Sequence, residues 1–449
     1  MYFDTHCHLC DESYAADLDG VLARAREAGM AGILVPGTSA ISSRCARELA
    51  SGVPWLHAAA GIHPESAGEV SEDDLAMNRR LLPSAEVIAV GETGMDLHYA
   101  DGPPAEAQEA LFERHIAMAE AFGLTLVVHS RDAEESVLRI LGADRPFPVV
   151  LHCWTGCESD ALEAAGRGFY IGFAGPVTYP ANDRLRRLAA TLPRDRVLAE
   201  TDGPYLPPAA LRGRRNEPSF LVHVVETLAS AWGCPVAAAR DTLMENSMRA
   251  LQLGRHRRTD LVYTLNDRIY MNITGQCSNG CRFCIREKSD GIGGFLLRHG
   301  AEPDGGRLRR LVGMLDSREH EELVFCGYGE PTMRPDLLRE LAASASGRGF
   351  RVRLNTNGLC LAWLSPEETL GMLAPFETVS VSLNASGPEE YQDLCRPADP
   401  AAWENLQDFI HLARTVCRVR ATAVRFPGLE MDRVRALSRD LGVEFMERG

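Results

Sequence analysis

"EAQEALFERHIAMAEAFGLTLVVHS", residues 106–130, reads as a helix feeding a strand. Over 106–123 the apolar residues recur at helical spacing, and from Leu124 the chain turns to a short apolar run that closes on a histidine. The same unit recurs along the first half of the chain. Candidate strands stand at 2–8 ("YFDTHCH"), 31–37 ("AGILVPG"), 55–61 ("WLHAAAG"), 85–92 ("AEVIAVGE"), 124–130 ("LTLVVHS"), 148–154 ("PVVLHCW"), 169–175 ("FYIGFAG") and 196–202 ("RVLAETD"). Eight βα units in about 250 residues predict an α/β chain that opens with a closed (β/α)8 TIM barrel.

A basic patch, "GRHRRTD" at 254–260, breaks this rhythm and predicts a linker over 254–264 between domains at 1–253 and 265–449. Strand-like runs then return at 268–277, 322–330, 350–358, 378–386, 417–426 and 443–447, and predict a smaller, partial (β/α)6 barrel. The segment "SDGIGGFLLRHGAEPDGG", 289–306, is expected to loop over a site in this second domain. With the sixth run ending close to Gly449, no auxiliary-cluster domain is expected, and substrate access is expected to need the first domain, or a partner, as a wall.

The 449 residues are 45% apolar and 24% charged, a globular composition large enough for two cores. A net charge of −15 argues against broad electrostatic wrapping of duplex nucleic acid, which relies on many cationic contacts to phosphate. No apolar run is long enough for a membrane span and the start carries no signal-peptide pattern. Thirteen cysteines scattered over such a chain are expected to be free thiols in a reducing cytoplasm, kept for metal work or burial rather than for a disulfide framework.

Polar residues fall at the carboxyl ends of the first eight strands, the face on which such barrels build active sites. His6 and His8 close the first run, Glu92 the fourth, His129 the fifth, His152 the sixth and Asp202 the eighth. Six imidazole and carboxylate groups exceed what one catalytic ion needs and suit two, with Glu92 as the natural bridge. Two neighbouring cations clamp attacking and leaving oxygens and acidify a bound water, so hydrolysis is the implied chemistry. Mixed nitrogen and oxygen donors accept zinc, manganese, iron or magnesium alike.

"FDTHCHL", "GIHPE", "GETGMD", "VVHSRDA", "HCWTG" and "ETDGPYLPP" together resemble the TatD family of metal-dependent deoxyribonucleases across residues 1–253. The resemblance implies a TIM-barrel phosphodiesterase with His6, His8, Glu92 and Asp202 around one metal and Glu92, His129 and His152 around the other. It also implies a Mg²⁺-dependent nuclease that trims strands from the 3′ end, with single-stranded DNA or a nucleotide-derived molecule as substrate. Asp202 is the candidate proton acceptor, and His63 and Arg131 are candidates for meeting phosphate, arginine being the side chain that grips it bidentately. After Glu92 the chain reads "GMDLHYADGPP", a departure from the aromatic and basic run usual in the family.

The second domain opens with "CSNGCRFC", residues 277–284. A closed structural metal site takes four protein ligands. Three thiolates at CxxxCxxC spacing, Cys277, Cys281 and Cys284, suit a [4Fe–4S] cluster with one iron left open, although zinc sites share the spacing. The open iron is the place for S-adenosylmethionine, whose reductive cleavage yields a 5′-deoxyadenosyl radical. From 265 to 449 the chain resembles the radical SAM superfamily. "GYGEP" at 327–331 is similar to its glycine-rich motif, with Gly327, Gly329 and Glu330 near the methionyl amino group. Asn355, Ser382 and Asn384 fall where the family places ribose and carboxylate contacts, and Phe283 resembles the aromatic that packs beside cluster and adenine. Cys326, Cys360, Cys395 and Cys417 show no close pairing and are expected to be buried thiols.

The expectation is therefore a cytoplasmic bifunctional enzyme: a dinuclear-metal hydrolase, with Mg, Zn or Mn, joined to a radical SAM domain supplied with electrons by a flavodoxin or ferredoxin. Two alternatives stand beside it. In one the hydrolase cuts a non-nucleic ester or amide made or modified by the radical domain; in the other the second domain is a cluster-bearing binding or redox-sensing module.

Overall fold

The computed structural model describes residues 1–266, 268–318 and 320–448. It divides into two compact units, Met1–Arg258 and Thr259–Gly449.

The first unit carries eight parallel strands in sequence order: β1 (Tyr2–Asp4), β2 (Met30–Pro36), β3 (Leu56–Ala60), β4 (Val87–Asp96), β5 (Thr125–Arg131), β6 (Val149–Leu151), β7 (Tyr170–Phe173) and β8 (Val197–Ala199). The sheet curls until β1 and β8 approach each other. The seam is made by a bridge from Cys7 to Gly203 and by Asp202 N donating to His6 O at 2.9 Å. Phe3, Leu34, Ala59, Ala89 and Val127, from five successive strands, pack with Leu251 in one core cluster. The helix expected over 106–123 spans Ala105–Phe122 and ends because Gly123 takes a left-handed φ of 65°.

Three details depart from the sequence reading. β1 ends at Asp4, so His6 and His8 flank the Cys7 bridge in extended chain beyond the strand. Conversely β4 and β5 run on past Glu92 and His129, because the register shifts between Val90 and Thr93 and the pairing then resumes as far as Asp96 and Arg131. And Cys10 is disulfide-bonded to Cys45, whereas the sequence reading expects no disulfide among the thirteen cysteines. The bond arises because the turn after His8 comes against the helix Ala40–Gly52, with Cα atoms 6.2 Å apart, a juxtaposition invisible in a spacing of 35 residues.

The second unit begins with β9 (Val262–Leu265), antiparallel to β10 (Arg268–Met271), and so adds a strand inside the stretch read as linker. A short hairpin, β11 (Gly291–Ile292) and β12 (Phe295–Leu296), follows. β13 (Glu322–Phe325), β14 (Arg351–Thr356), β15 (Thr378–Ser382), β16 (Arg418–Val424) and β17 (Glu444–Arg448) then extend the sheet in parallel, in the order β10-β13-β14-β15-β16-β17. Leu323, Phe325, Val352, Leu354, Val379 and Val381 are buried, the apolar half of a period-2 pattern. The segment 289–306 is not a bare loop: Asp260 exchanges hydrogen bonds with Leu296 (2.7 and 2.8 Å), and Asn272 Nδ2 donates to Leu297 O at 2.9 Å.

No single helix among the described residues is long and apolar enough to cross a membrane.

Candidate dinuclear metal site and cysteine loop

All six residues that the sequence places at strand ends meet at one end of the first barrel. Glu92 stands between two groups. Its Oε2 lies 3.2 Å from His6 Nε2 and 3.6 Å from His8 Nε2, and its Oε1 lies 2.7 Å from His152 Nε2 and 3.0 Å from His129 Nδ1. Asp202, at a left-handed φ of 57° three residues beyond β8, turns Oδ1 to within 3.3 Å of His8 Nε2. His6 and His8 bring their Nε2 atoms to 3.2 Å of each other, and His129 Nδ1 and His152 Nε2 are equally close. Donor atoms of one kind converging at such distances fit cations between them, and the three groupings among the described residues whose donor atoms all lie within 4.8 Å of one another, His6–His152–Asp202, His6–His8–Glu92 and His63–Glu92–His129, all lie here.

Electrostatics agree. Burial alone would keep Glu92 protonated, yet His152, His6 and His63 around it hold its carboxyl well below the usual range. Burial, followed by the neighbouring His152, depresses His6 to about 4, so that ring offers a lone pair. His129 is pushed up to about 10: burial opposes the charge, and hydrogen bonds to Asp96 and Glu92 outweigh it.

Two carboxylates behind the site were missed in the sequence. Asp96 Oδ2 sits 2.9 Å from His129 Nε2, and Glu200 Oε1 sits 3.8 Å from His152 Nδ1 and also accepts from the backbone N of Cys153. Asp96 orients His129 from the rear, as outer carboxylates do at metal sites, and Glu200 stands behind His152 without a hydrogen bond to it. Their signal was present in the motifs already quoted, "GETGMD" and "ETD", each with a second acid in reach of the first.

The site opens into a pocket of about 920 Å³. His63 lines it, with Nε2 3.5 Å from Glu92 Oε1, closer to the ligand groups than its expected phosphate role required. Arg131 lines it too; its guanidinium stacks over the exposed Tyr99 ring at 5.1 Å and donates to the phenol oxygen at 3.2 Å. The departing segment "GMDLHYADGPP" thus supplies the aromatic Tyr99, and β5 supplies the basic Arg131 beside it.

In the second unit Cys277, Cys281 and Cys284 follow β10 on one loop, half-buried and free. The loop is pinned by an antiparallel register: Gly280 N donates to Arg396 O at 3.1 Å and Arg282 N to Leu394 O at 2.9 Å. This sets Cys281 opposite Cys395, which holds the Cys281 thiol below its ordinary pKa against the effect of burial, a pairing that the reading of Cys395 as an isolated buried thiol did not foresee.

Gly327 and Gly329 serve close packing. A Cβ on Gly329 would lie 2.3 Å from Gln276 O, and Glu330 N donates to that same oxygen at 2.7 Å. The Glu330 carboxylate is buried and accepts from Thr332 N, Thr332 Oγ1, Thr356 Oγ1 and Asn357 N at 2.7–3.1 Å, so it ties the ends of β13 and β14 together. Asn355 Oδ1 accepts from Arg353, Asn384 Oδ1 from Val424 N, Ser382 is half-buried, and Phe283 packs edge-on to Phe426 at 6.0 Å.

Comparison with known proteins matches both halves. Residues 3–252 match the family model of TatD related DNase, and residues 271–441 match the Radical SAM superfamily. The chain is 35% identical over 256 residues to the uncharacterized metal-dependent hydrolase YabD of Bacillus subtilis, covering 57% of this chain and all of that one. It is 37% identical over 235 residues to the 3'-5' ssDNA/RNA exonuclease TatD of Erwinia tasmaniensis, covering 51% of this chain and 90% of that one. Among solved structures, YJJV, a TatD homolog from Escherichia coli, superposes with a TM-score of 0.53 at 30% identity over 56% of this chain and 98% of that one. The chain belongs to the TatD-related DNase family, and its hydrolase barrel is fused to a radical SAM domain.

Proposed function

We propose that the chain is a two-site enzyme whose first unit hydrolyses phosphodiesters of single-stranded nucleic acid from the 3′ end with two divalent ions, and whose second unit cleaves S-adenosylmethionine reductively to act on a second substrate. The observation that carries the first half is the split of Glu92, one oxygen facing His6 and His8 and the other His129 and His152.

Two divalent ions bound there supply charge stabilisation and a water acid enough to attack at neutral pH. His6, His8, Glu92 and Asp202 would hold one, and Glu92, His129 and His152 the other. Asp202 is the proton acceptor: burial opposes its ionisation, but His8 and His152 hold it anionic, and its carboxylate borders the pocket. Arg131 and Tyr99 at the rim suit a phosphate and an adjoining base, because arginine forks onto phosphate oxygens and an aromatic ring stacks on any base. This rim, together with the names of the relatives, favours nucleic acid over a simple ester. The donors are equally compatible with Mg, Mn and Zn.

In the second unit Cys277, Cys281 and Cys284 would hold a [4Fe–4S] cluster, and the cluster with S-adenosylmethionine supplies one-electron cleavage of a sulfonium C–S bond. Glu330 fixes the turn that follows β13, and Phe283, between two of the three cysteines, would pack beside the cluster. A cytoplasmic location with a flavodoxin- or ferredoxin-type donor fits such a cluster.

Chelated protein, given Mg²⁺, Mn²⁺ or Zn²⁺ in turn and a 5′-labelled single-stranded oligonucleotide, should produce a ladder shortening from the 3′ end. Anaerobic reconstitution with iron and sulfide, reduction and addition of S-adenosylmethionine should release 5′-deoxyadenosine. An oligonucleotide left intact under every metal, with small phosphodiesters, esters or amides cut instead, contradicts the nuclease reading. Absence of 5′-deoxyadenosine from protein carrying an intact cluster contradicts the radical reading.

A further inference from the structure

One face of the second sheet is apolar and buried; the other is polar and rich in arginine. Strand alternation puts Glu322, Arg353, Ser380, Arg420 and Arg448 on that second face, drawn from β13 to β17. Contacts agree: Arg353 forks onto Glu322 with both bonds at 3.1 Å, and Arg420 Nη1 reaches Met446 Sδ at 3.9 Å. Register sets Asn355, Ser380 and Arg420 in one row across β14, β15 and β16.

Positive charge on this face exceeds negative. Glu322 is shared between Arg353 and Arg268, the latter at 3.0 Å, and Glu444 is shared between Arg418 and Arg420. Arg448 has a buried Nη2 with no hydrogen-bond partner. Burial, with Arg353 and Arg420 close by, holds its pKa below the ordinary arginine value, although Cys326 and Tyr270 act the other way. Ser380 is fully buried and its Oγ also lacks a partner. Buried polar groups are almost always hydrogen-bonded, so two orphans on one cationic face call for an acceptor brought from outside.

Depth separates this place from the rim. The cysteine loop follows β10 and the Gly327–Glu330 turn follows β13, both at the carboxyl ends of the strands. Ser380 lies two residues before the end of β15 and Arg353 three before the end of β14, about 7 Å or more further in, while Arg448 closes β17 and its side chain comes close to Arg353 and Arg420.

We propose that this face is the binding site for an oxyanion carried by the radical domain's substrate, a phosphate ester or a carboxylate, with Arg448 and Ser380 as donors and Arg353 and Arg420 supplying charge. The word substrate rests on the radical reading given above; the anion site does not. Such a molecule would sit deeper than the cluster, with its anionic end held inside the sheet and its reacting end toward the cysteine loop.

The test is a ³¹P NMR titration of inorganic phosphate with the full-length chain after chelation, so that the first site holds no cation for phosphate. Wild type should broaden the line saturably. Ser380→Ala, which deletes one atom and keeps the fold, and Arg448→Gln should each weaken binding at least five-fold, while Arg448→Lys keeps most of it. Acetate displacing phosphate at equal concentration would assign a carboxylate, and failure to displace it a phosphate ester. Equal broadening by wild type, Ser380→Ala and Arg448→Gln would overturn the proposal. So would a loss of S-adenosylmethionine affinity in those variants with phosphate binding unchanged, since the face would then serve the cofactor. Missing 5′-deoxyadenosine with phosphate binding intact would sink the radical reading alone.

Discussion

His152 Nε2 lies 2.7 Å from Glu92 Oε1, while the other oxygen of the same carboxylate lies 3.2 Å from His6 Nε2. One side chain therefore belongs to both halves of the site, and neither half is complete without it. Glu92→Gln keeps the shape and removes the charge. The variant should lose both metals together in elemental analysis, and oligonucleotide hydrolysis should fall by about 100-fold or more, as when a main electrostatic stabiliser is removed. Loss of one metal with the other retained would show that Glu92 is not shared.

Asp96 bonds the rear of His129, Glu200 lies 3.8 Å behind His152, and neither needs to meet substrate. Asp96→Asn and Glu200→Gln should each weaken metal affinity by about 10- to 100-fold, with activity recovered at high metal concentration. Activity lost without recovery at saturating metal would place either residue in direct contact with the reacting groups.

His115 offers a pH prediction away from the metals. Its Nδ1 is bonded to Leu111 O at 2.8 Å and its Nε2 accepts from Ile62 N at 3.1 Å, so the neutral ring is fully satisfied. Burial lowers its pKa from 6.5 to about 4. The folded state therefore binds fewer protons than the unfolded one between those values. The stability it contributes is whole above pH 6.5 and is lost as pH falls toward 4, by about 3 kcal/mol at most. His115→Gln should flatten this part of the thermal stability profile, whatever it does at neutral pH. An acid loss identical to that of wild type would contradict the assignment.

Cys395 faces Cys281 without belonging to the CxxxCxxC set. Cys281→Ser should abolish the cluster's visible absorbance and most of the bound iron, and Cys395→Ser should leave both within error of wild type. Iron lost equally from the two variants would make Cys395 a ligand.

Much of this architecture was legible beforehand because period and spacing carry it. The helix ending at Gly123 and the strand after it are local facts, and the six ligands follow strand ends that local patterning locates. What the sequence hid depends on contacts between distant segments. Cys10 meets Cys45, and Cys281 meets Cys395, only once helices and loops have packed. Asp96 and Glu200 were in view but looked ordinary, since a carboxylate's role behind a histidine depends on which way that ring turns. β9 escaped because four residues, "VYTL", beside a basic patch carry little pattern of their own, and pairing with β10 decides their state. The arginine face was hidden for a related reason: alternating arginines on short strands resemble solvent-facing positions until the sheet curves around them.

The central claim is that one chain carries two independent reaction centres, and paired single variants measure it most directly. With wild type, His152→Ala and Cys281→Ala assayed side by side for oligonucleotide hydrolysis and for 5′-deoxyadenosine release, His152→Ala should lose the first activity and keep the second, and Cys281→Ala the reverse. Loss of both activities in either folded variant would contradict the account.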